Sequence, residues 1–199
     1  MLERYENFLN PLVLLPELKP DRVSIAPDSS RAKGVEAMLQ QSGEGPWNWW
    51  LSYAWASVKD RFNQAEIQRS WDQTHSLGIG LGWRSAYWEF SAAGNYRSGW
   101  PTSATELAID EPVPLVAVGP RNAERLGNYA SVDVRIARHW QFSESHSLSI
   151  FVEASNLFNR YNDCCIEYEV DDEEGEVILD TQPVNAMTII PSAGFIWRF

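Results

Sequence analysis

Hydrophobic side chains recur at every second position through much of this chain. Leu77, Ile79, Leu81 and Trp83 alternate with Gly78, Gly80, Gly82 and Arg84. Trp88, Phe90, Ala92 and Tyr96 alternate with Glu89, Ser91, Asn95 and Arg97. Ala130, Val132, Val134, Ile136 and Trp140 alternate with Ser131, Asp133, Arg135 and His139, and Leu148, Ile150, Val152, Ala154 and Phe158 with Ser147, Ser149, Glu153 and Ser155. A period of two places the two sets on opposite faces of a strand. The pattern is looser at Val35, Ala37 and Leu39 against Gly34, Glu36 and Gln40, and at Trp47, Trp49, Leu51, Tyr53 and Trp55 against Asn48, Ser52 and Ala54. The chain closes on Phe195, Trp197 and Phe199 with Gly194, Ile196 and Arg198 between them. Residues 1–9 supply one further, poorer segment, so the expectation is an all-β chain of about eight strands.

The connections alternate in length. Short turns are expected at Ser42–Pro46, Arg84–Tyr87 and Gln141–His146, and long polar connections near 10–30, 59–73, 99–127 and 160–186. A sheet trimmed on one rim and elaborated on the other matches a transmembrane β-barrel, with short periplasmic turns and long extracellular loops. The rings sort by height in the same frame. Trp47, Trp83, Trp88, Trp140, Phe142, Trp197 and Phe199 fall beside the short turns or the chain end, and Trp55, Tyr96 and Phe158 toward the long connections. Two belts with aliphatic residues between them are what ring side chains form at the two interfaces of a bilayer.

Composition sharpens this picture. Among 199 residues there are ten Trp, seven Tyr and eight Phe, yet mean hydropathy is −0.33. No stretch approaches the roughly 18 apolar residues of a membrane helix. Lipid contact without apolar runs leaves the closed barrel as the spanning architecture, because every backbone polar group must be paired within the sheet. A net charge of −11 argues against nucleic acid as a partner. The opening Met1-Leu2-Glu3-Arg4-Tyr5-Glu6 is not a secretory signal peptide. The expectation is therefore a C-terminal part of a longer exported protein; the alternative is a cytosolic protein that is never exported.

Several segments resemble the C-terminal barrel region of TonB-dependent outer-membrane receptors. Arg31-Ala32-Lys33-Gly34-Val35-Glu36 is similar to that family's R-x-x-G-v-E strand, and Trp71-Asp72-Gln73-Thr74-His75 to its x-D-Q-x-H junction. The run from Arg121-Asn122-Ala123-Glu124-Arg125-Leu126 to Asp133-Val134-Arg135 resembles R-N-x-x-R-L-p-x-Y-x-x-l-D-l-R, and Val152-Glu153-Ala154-Ser155-Asn156-Leu157-Phe158-Asn159 resembles v-e-v-x-N-l-f-N. With the aromatic final strand, the likeness covers residues 31–199. It implies uptake of a scarce nutrient, such as an iron chelate or cobalamin, through a barrel of about 22 strands. An N-terminal plug would fill that barrel, and the TonB system would energise it. Residues 1–199 would then be the last third of such a receptor, without plug or signal peptide, partnered by outer-membrane lipid, the plug, TonB and a small-molecule nutrient. Within the resemblance Glu36, Arg84, Glu89, Arg97, Asp133, Arg135, His139, Glu153 and Arg198 would line the lumen. Trp47, Trp83, Trp88, Trp140 and Trp197 would form a membrane girdle. Phe195, Trp197 and Phe199 would mark the C-terminal assembly strand.

Other chemistry is sparse. A tight turn near Glu144 would set Arg135 opposite Glu153 as a cross-strand ion pair, serving either plug contact or charge balance in a wet lumen. Gly78, Gly80 and Gly82 leave room for a plug or for bulky side chains of neighbouring strands. The carboxylates Glu167, Glu169, Asp171, Asp172, Glu173, Glu174, Glu176 and Asp180 lack EF-hand spacing, with Asp171, Asp172, Glu173 and Glu174 as weak metal candidates. Cys164 and Cys165 are adjacent, which gives no disulfide framework and no zinc spacing. His75, His139 and His146 show no ligand spacing, no cofactor motif occurs, and an enzyme is the weakest class. Beside the receptor reading stand a complete eight-stranded outer-membrane barrel or porin and a soluble ligand-binding β-barrel. The acidic connection read as a solvated loop predicts no saturable heat on calorimetric titration with calcium; a saturable heat weakened by Asp171→Asn would identify a site instead.

Overall fold

The computed structural model describes residues 26–108, 115–173 and 176–199; the side chains of 106–108, 115–117, 170–173 and 176–177 are not among those described. The described residues form strands and no helix. In chain order they are β1 (Ser29–Gln41), β2 (Trp47–Phe62), β3 (Ala65–Gln68), β4 (His75–Arg84), β5 (Trp88–Arg97), β6 (Pro101–Thr102) and β7 (Thr105–Ala108). They continue as β8 (Leu115–Val118), β9 (Glu124–Arg125), β10 (Tyr129–Gln141), β11 (Ser147–Ser155), β12 (Asp163–Glu173), β13 (Glu176–Asn185) and β14 (Ile190–Arg198).

Seven long strands pair in chain order, β1-β2-β4-β5-β10-β11-β14, with β3 added beside the end of β2, in one 8-stranded sheet. Every ladder is antiparallel. Each of the seven coincides with an alternating segment of the sequence, so the all-β, antiparallel expectation holds. The segment at residues 1–9 lies outside the described residues. Sheet margins fall at β1 and β14, and no ladder joins them among the described residues.

The three described long connections are not irregular loops. β2 continues to Phe62, turns at Asn63 (φ 53°) and returns as β3, so the connection expected at 59–73 opens as a hairpin. The 99–127 connection holds two short ladders, β6 with β9 and β7 with β8. The 160–186 connection, expected as a solvated acidic loop, is a hairpin of β12 with β13. β12 does alternate, Ile166 and Tyr168 against Glu167 and Glu169, but so short a run inside a strongly acidic segment does not stand out from a connection, and the other strands here are four residues or fewer or interrupted by polar residues. Phe158 is corrected likewise: β11 ends at Ser155, and Phe158 sits exposed in the turn beyond.

Register assigns each side chain to a face. One row across the sheet reads Trp47, Trp83, Phe90, Ile136, Val152, Ala193. The adjacent row on the opposite face reads Asn48, Gly82, Ser91, Arg135, Glu153, Ser192. Among the described residues the apolar face is largely uncovered: Ile79 is 53% exposed, Val152 59% and Phe195 72%. Among the described residues Ala137 is the buried hydrophobic, whereas Asp60, Asp72, Asn122, Ser131, Asn156 and Asn162 are buried polar groups.

On the polar face Gly78, Gly80 and Gly82 are buried beneath β2 side chains. A methyl group built on Gly80 would collide with the Trp50 indole, one on Gly78 would lie 2.7 Å from it, and one on Gly82 would strike Asn48. The glycine strip is thus the bed on which Trp50 lies. Gly80→Val is expected to lower stability by about 1–3 kcal/mol through overpacking, read as a lower unfolding temperature by circular dichroism. Trp50→Ala should recover part of the loss, and Gly43→Ala, at an open position, should change nothing.

Candidate functional site

Glu36, Arg84, Glu89, Arg97, Asp133, Arg135, His139, Glu153 and Arg198 all fall on the polar face by register. The structure gathers them into groups. Toward the short turns Arg84 reaches Glu89 at 2.7 Å, His139 Nε2 lies 3.7 Å from the same carboxylate, and His139 Nδ1 is 2.7 Å from Ser149 Oγ. Midway along the sheet Arg135 faces Glu153 across the ladder at 2.8 Å, the pair anticipated from a tight turn near Glu144. Ser192 donates to the other Glu153 oxygen at 2.7 Å, and the Arg135 guanidinium lies 3.8 Å from the Phe151 ring. A hollow of about 360 Å³, with Asn48, Trp50, Asp133, Arg135 and Glu153 in its lining, opens there.

Four residues stand apart from these pairs, Arg198 among them, opposite Ser147 on the margin strand β14. Glu36 lies on the margin strand β1 opposite Ala54. Arg97 stacks over Tyr129 at 4.4 Å, and its Nε finds no hydrogen-bond partner among the described residues. Asp133 accepts the backbone N–H of Asn156 at 2.9 Å. On the apolar face Trp47, Trp83, Trp88, Trp140 and Trp197 lie toward the short turns and the chain end. Trp47 and Trp83 meet at 6.3 Å, Phe142 stacks on Trp197 at 5.9 Å, and Arg138 lies over Trp88 and Trp140 at 4.8 and 5.2 Å. Phe195 and Trp197 share this face on β14; Phe199 follows the strand, fully in the open.

At the opposite end, the long connections are built on a polar frame that periodicity does not reveal. Buried Asp72 accepts the Val58 N–H at 2.6 Å and pairs with Arg125 at 2.6 Å. Arg125 also donates to the carbonyls of Asp72 and Gly99 at 2.9 and 2.8 Å and to Gln68 Oε1 at 3.0 Å. One guanidinium therefore ties the 99–127 connection to the β3–β4 junction, using the several donors of its planar fork. Asn122 donates to the Gln68 carbonyl at 2.6 Å. Asn156 donates to the carbonyls of Arg160 and Met187, both at 2.9 Å, and Asn162 takes a strand's place against Ala130, accepting at 2.8 Å and donating at 3.0 Å. Asn122, Asn156 and Asn159 hold φ of 52°, 48° and 49°, a left-handed conformation Asn tolerates better than most residues. Asp72, Asn122, Arg125, Asn156 and Asn159 belong to segments singled out in the sequence; what escaped notice is that they bond to one another's loops.

Among these connections opens a second hollow of about 540 Å³, with Trp71, Trp100, Pro101, Leu126, Cys165 and Tyr168 in its lining. The Cys164 and Cys165 sulfurs are 3.1 Å apart. The hydrogen bond with Cys164 holds the exposed Cys165 thiol above the ordinary thiol range. Of the acidic quartet, Glu174 and the side chains of Asp171, Asp172 and Glu173 lie outside those described. Among the described residues no group of three or more His, Cys, Asp or Glu converges on a metal-sized site. No family model, curated protein or solved structure matches the chain.

Two outcomes follow from this geometry. Arg125→Ala strands the buried Asp72 carboxylate and is expected to cost about 3 kcal/mol, seen as early proteolytic cleavage within 99–127. Cys165 should alkylate slowly at neutral pH, because a raised pKa keeps it a thiol there, and Cys164→Ala should shift the alkylation profile to lower pH.

Proposed function

We propose that this chain is the C-terminal β-barrel portion of a TonB-dependent outer-membrane receptor that takes up a scarce nutrient such as an iron chelate or cobalamin. The uncovered apolar face carries this reading. Each large aliphatic or aromatic side chain left in water forfeits about 1.5–3 kcal/mol, and a whole domain is stable by only about 5–15 kcal/mol. A face of such residues seven strands wide needs an apolar environment, and hydrocarbon bordered by rings at both interfaces supplies one. The short turns would be periplasmic and the hairpin-bearing connections extracellular. The charged face would border a hydrated lumen and the plug. The aromatic-lined hollow among the connections would meet the nutrient, with the 99–127 connection as its lip. The role is transport, not catalysis.

Two observations weigh against the alternatives. Against a complete small barrel stand the large connections 99–127 and 160–186, each carrying ladders of its own. A soluble β-barrel would bury an apolar interior, whereas the described buried side chains are Ala137 and a set of polar groups. The order of segments along residues 31–199 supports the receptor family over other barrels.

Spin labels placed singly in the bilayer-reconstituted chain, with both cysteines replaced by serine, test the reading. Labels at Ile79, Val134 and Ile150 should collide with oxygen and be shielded from an aqueous nickel complex. Labels at Ser91, Ala93 and Ser149 should show the reverse. Equal access of both probes to both sets would overturn the assignment.

A further inference from the structure

Toward the long connections the apolar face changes character. Across the β1–β2 ladder Arg31 stands opposite Lys59, Lys33 opposite Ser57 and Arg61 opposite Ser29, on the same side as Val35 and Trp55. At about 3.3 Å per residue, this basic rim begins about 7 Å beyond the Val35–Trp55 pair. The four cations border a hollow of about 190 Å³ whose lining also includes Ser29, Ser57, Trp55 and Glu66. Lys33 Nζ lies 5.7 Å from the Trp55 ring. Glu66 meets Lys59 at 3.5 Å, and the other carboxylate of the lining, Asp60, is buried and bound to Arg69 at 2.6 Å. All four cations are exposed. They include two of the chain's three lysines, in a chain of net charge −11.

We propose that this hollow binds the phosphate-bearing headgroup of a lipid in the leaflet on the side of the long connections. The proposal rests on the membrane reading and goes beyond it. Four like charges around one small hollow repel each other, and a polyanion relieves that repulsion with charge-assisted hydrogen bonds. Ser29 and Ser57 add neutral donors. The ring of Trp55 marks interfacial depth, so the cations just past it stand at the level of lipid phosphates. The acyl chains would descend along Val35 and Leu39. A basic cluster facing the bilayer in this way attracts anionic lipid rather than the neutral lipid around it.

Full-length chain reconstituted in phosphatidylcholine nanodiscs doped with bisphosphorylated lipid A provides the test, read by native mass spectrometry. The unaltered chain should retain lipid A stoichiometrically. R31Q/K33Q/K59Q/R61Q should retain it about 10-fold less, K33Q and K59Q singly should each lose part, and E66Q should retain more. Millimolar inorganic phosphate should not displace it. Equal retention by the single and quadruple variants would overturn the proposal, as would displacement by inorganic phosphate, which would indicate a free-anion pocket. Insertion without any lipid A retention overturns the headgroup site alone; spin labels at Ile79, Val134 and Ile150 equally open to oxygen and to the nickel complex in the same nanodiscs overturn the membrane reading and this proposal with it.

Discussion

Rings and aliphatic side chains cover one face of seven consecutive strands, and the described chain places almost nothing over them. This uncovered face constrains everything else in the structure. In an aqueous β-sandwich the period-two set packs against a second sheet about 10 Å away. Here the sheet's order comes from backbone ladders instead. On the proposed reading the bilayer supplies the missing second layer, and ladder pairing is obligatory because hydrocarbon offers no substitute partner for a backbone N–H or C=O.

The polarity of burial is inverted as a consequence. Asp60, Asp72, Asn122, Asn156 and Asn162 are buried, and the bonds described for them hold the ends of strands and connections. Arg125 unites the carbonyls of Asp72 and Gly99 with the Asp72 carboxylate, and Asn162 replaces a strand partner for Ala130. Buried polar groups are costly unless satisfied, so these fixed partners give the rim a defined shape rather than loose loops. The hollow between Trp100 and Tyr168 exists because that frame separates the connections.

Legibility in the sequence follows from the same physics. The seven long strands could be read from alternation because each has one apolar and one polar side, and the Arg135–Glu153 pair because a tight turn fixes register. β3 and the β12–β13 hairpin did not stand out: β3 is four residues long, and the alternation of Ile166 and Tyr168 with Glu167 and Glu169 is a short run inside a strongly acidic segment. Trp50 gave no sign of lying over Gly78 and Gly80, because it breaks the alternation of its own strand and the contact is between strands. Asp72 and Arg125 stand 53 positions apart; their neighbours mark each as part of a segment worth noting, but nothing local says that they meet. The basic rim was likewise hidden, since Arg31, Lys33, Lys59 and Arg61 come together only once the ladder between β1 and β2 is known.

The central claim is that the apolar face meets hydrocarbon. Seven of the ten tryptophans lie on it, Trp47, Trp49, Trp55, Trp83, Trp88, Trp140 and Trp197, while Trp50, Trp71 and Trp100 do not. Tryptophan fluorescence of the chain in vesicles whose lipids carry bromine at defined acyl depths measures that contact directly. Most of the emission should be quenched, more strongly by bromines near the headgroup than by those at the bilayer centre, with little loss to aqueous iodide. Emission indifferent to brominated lipid and quenched by iodide would contradict the account.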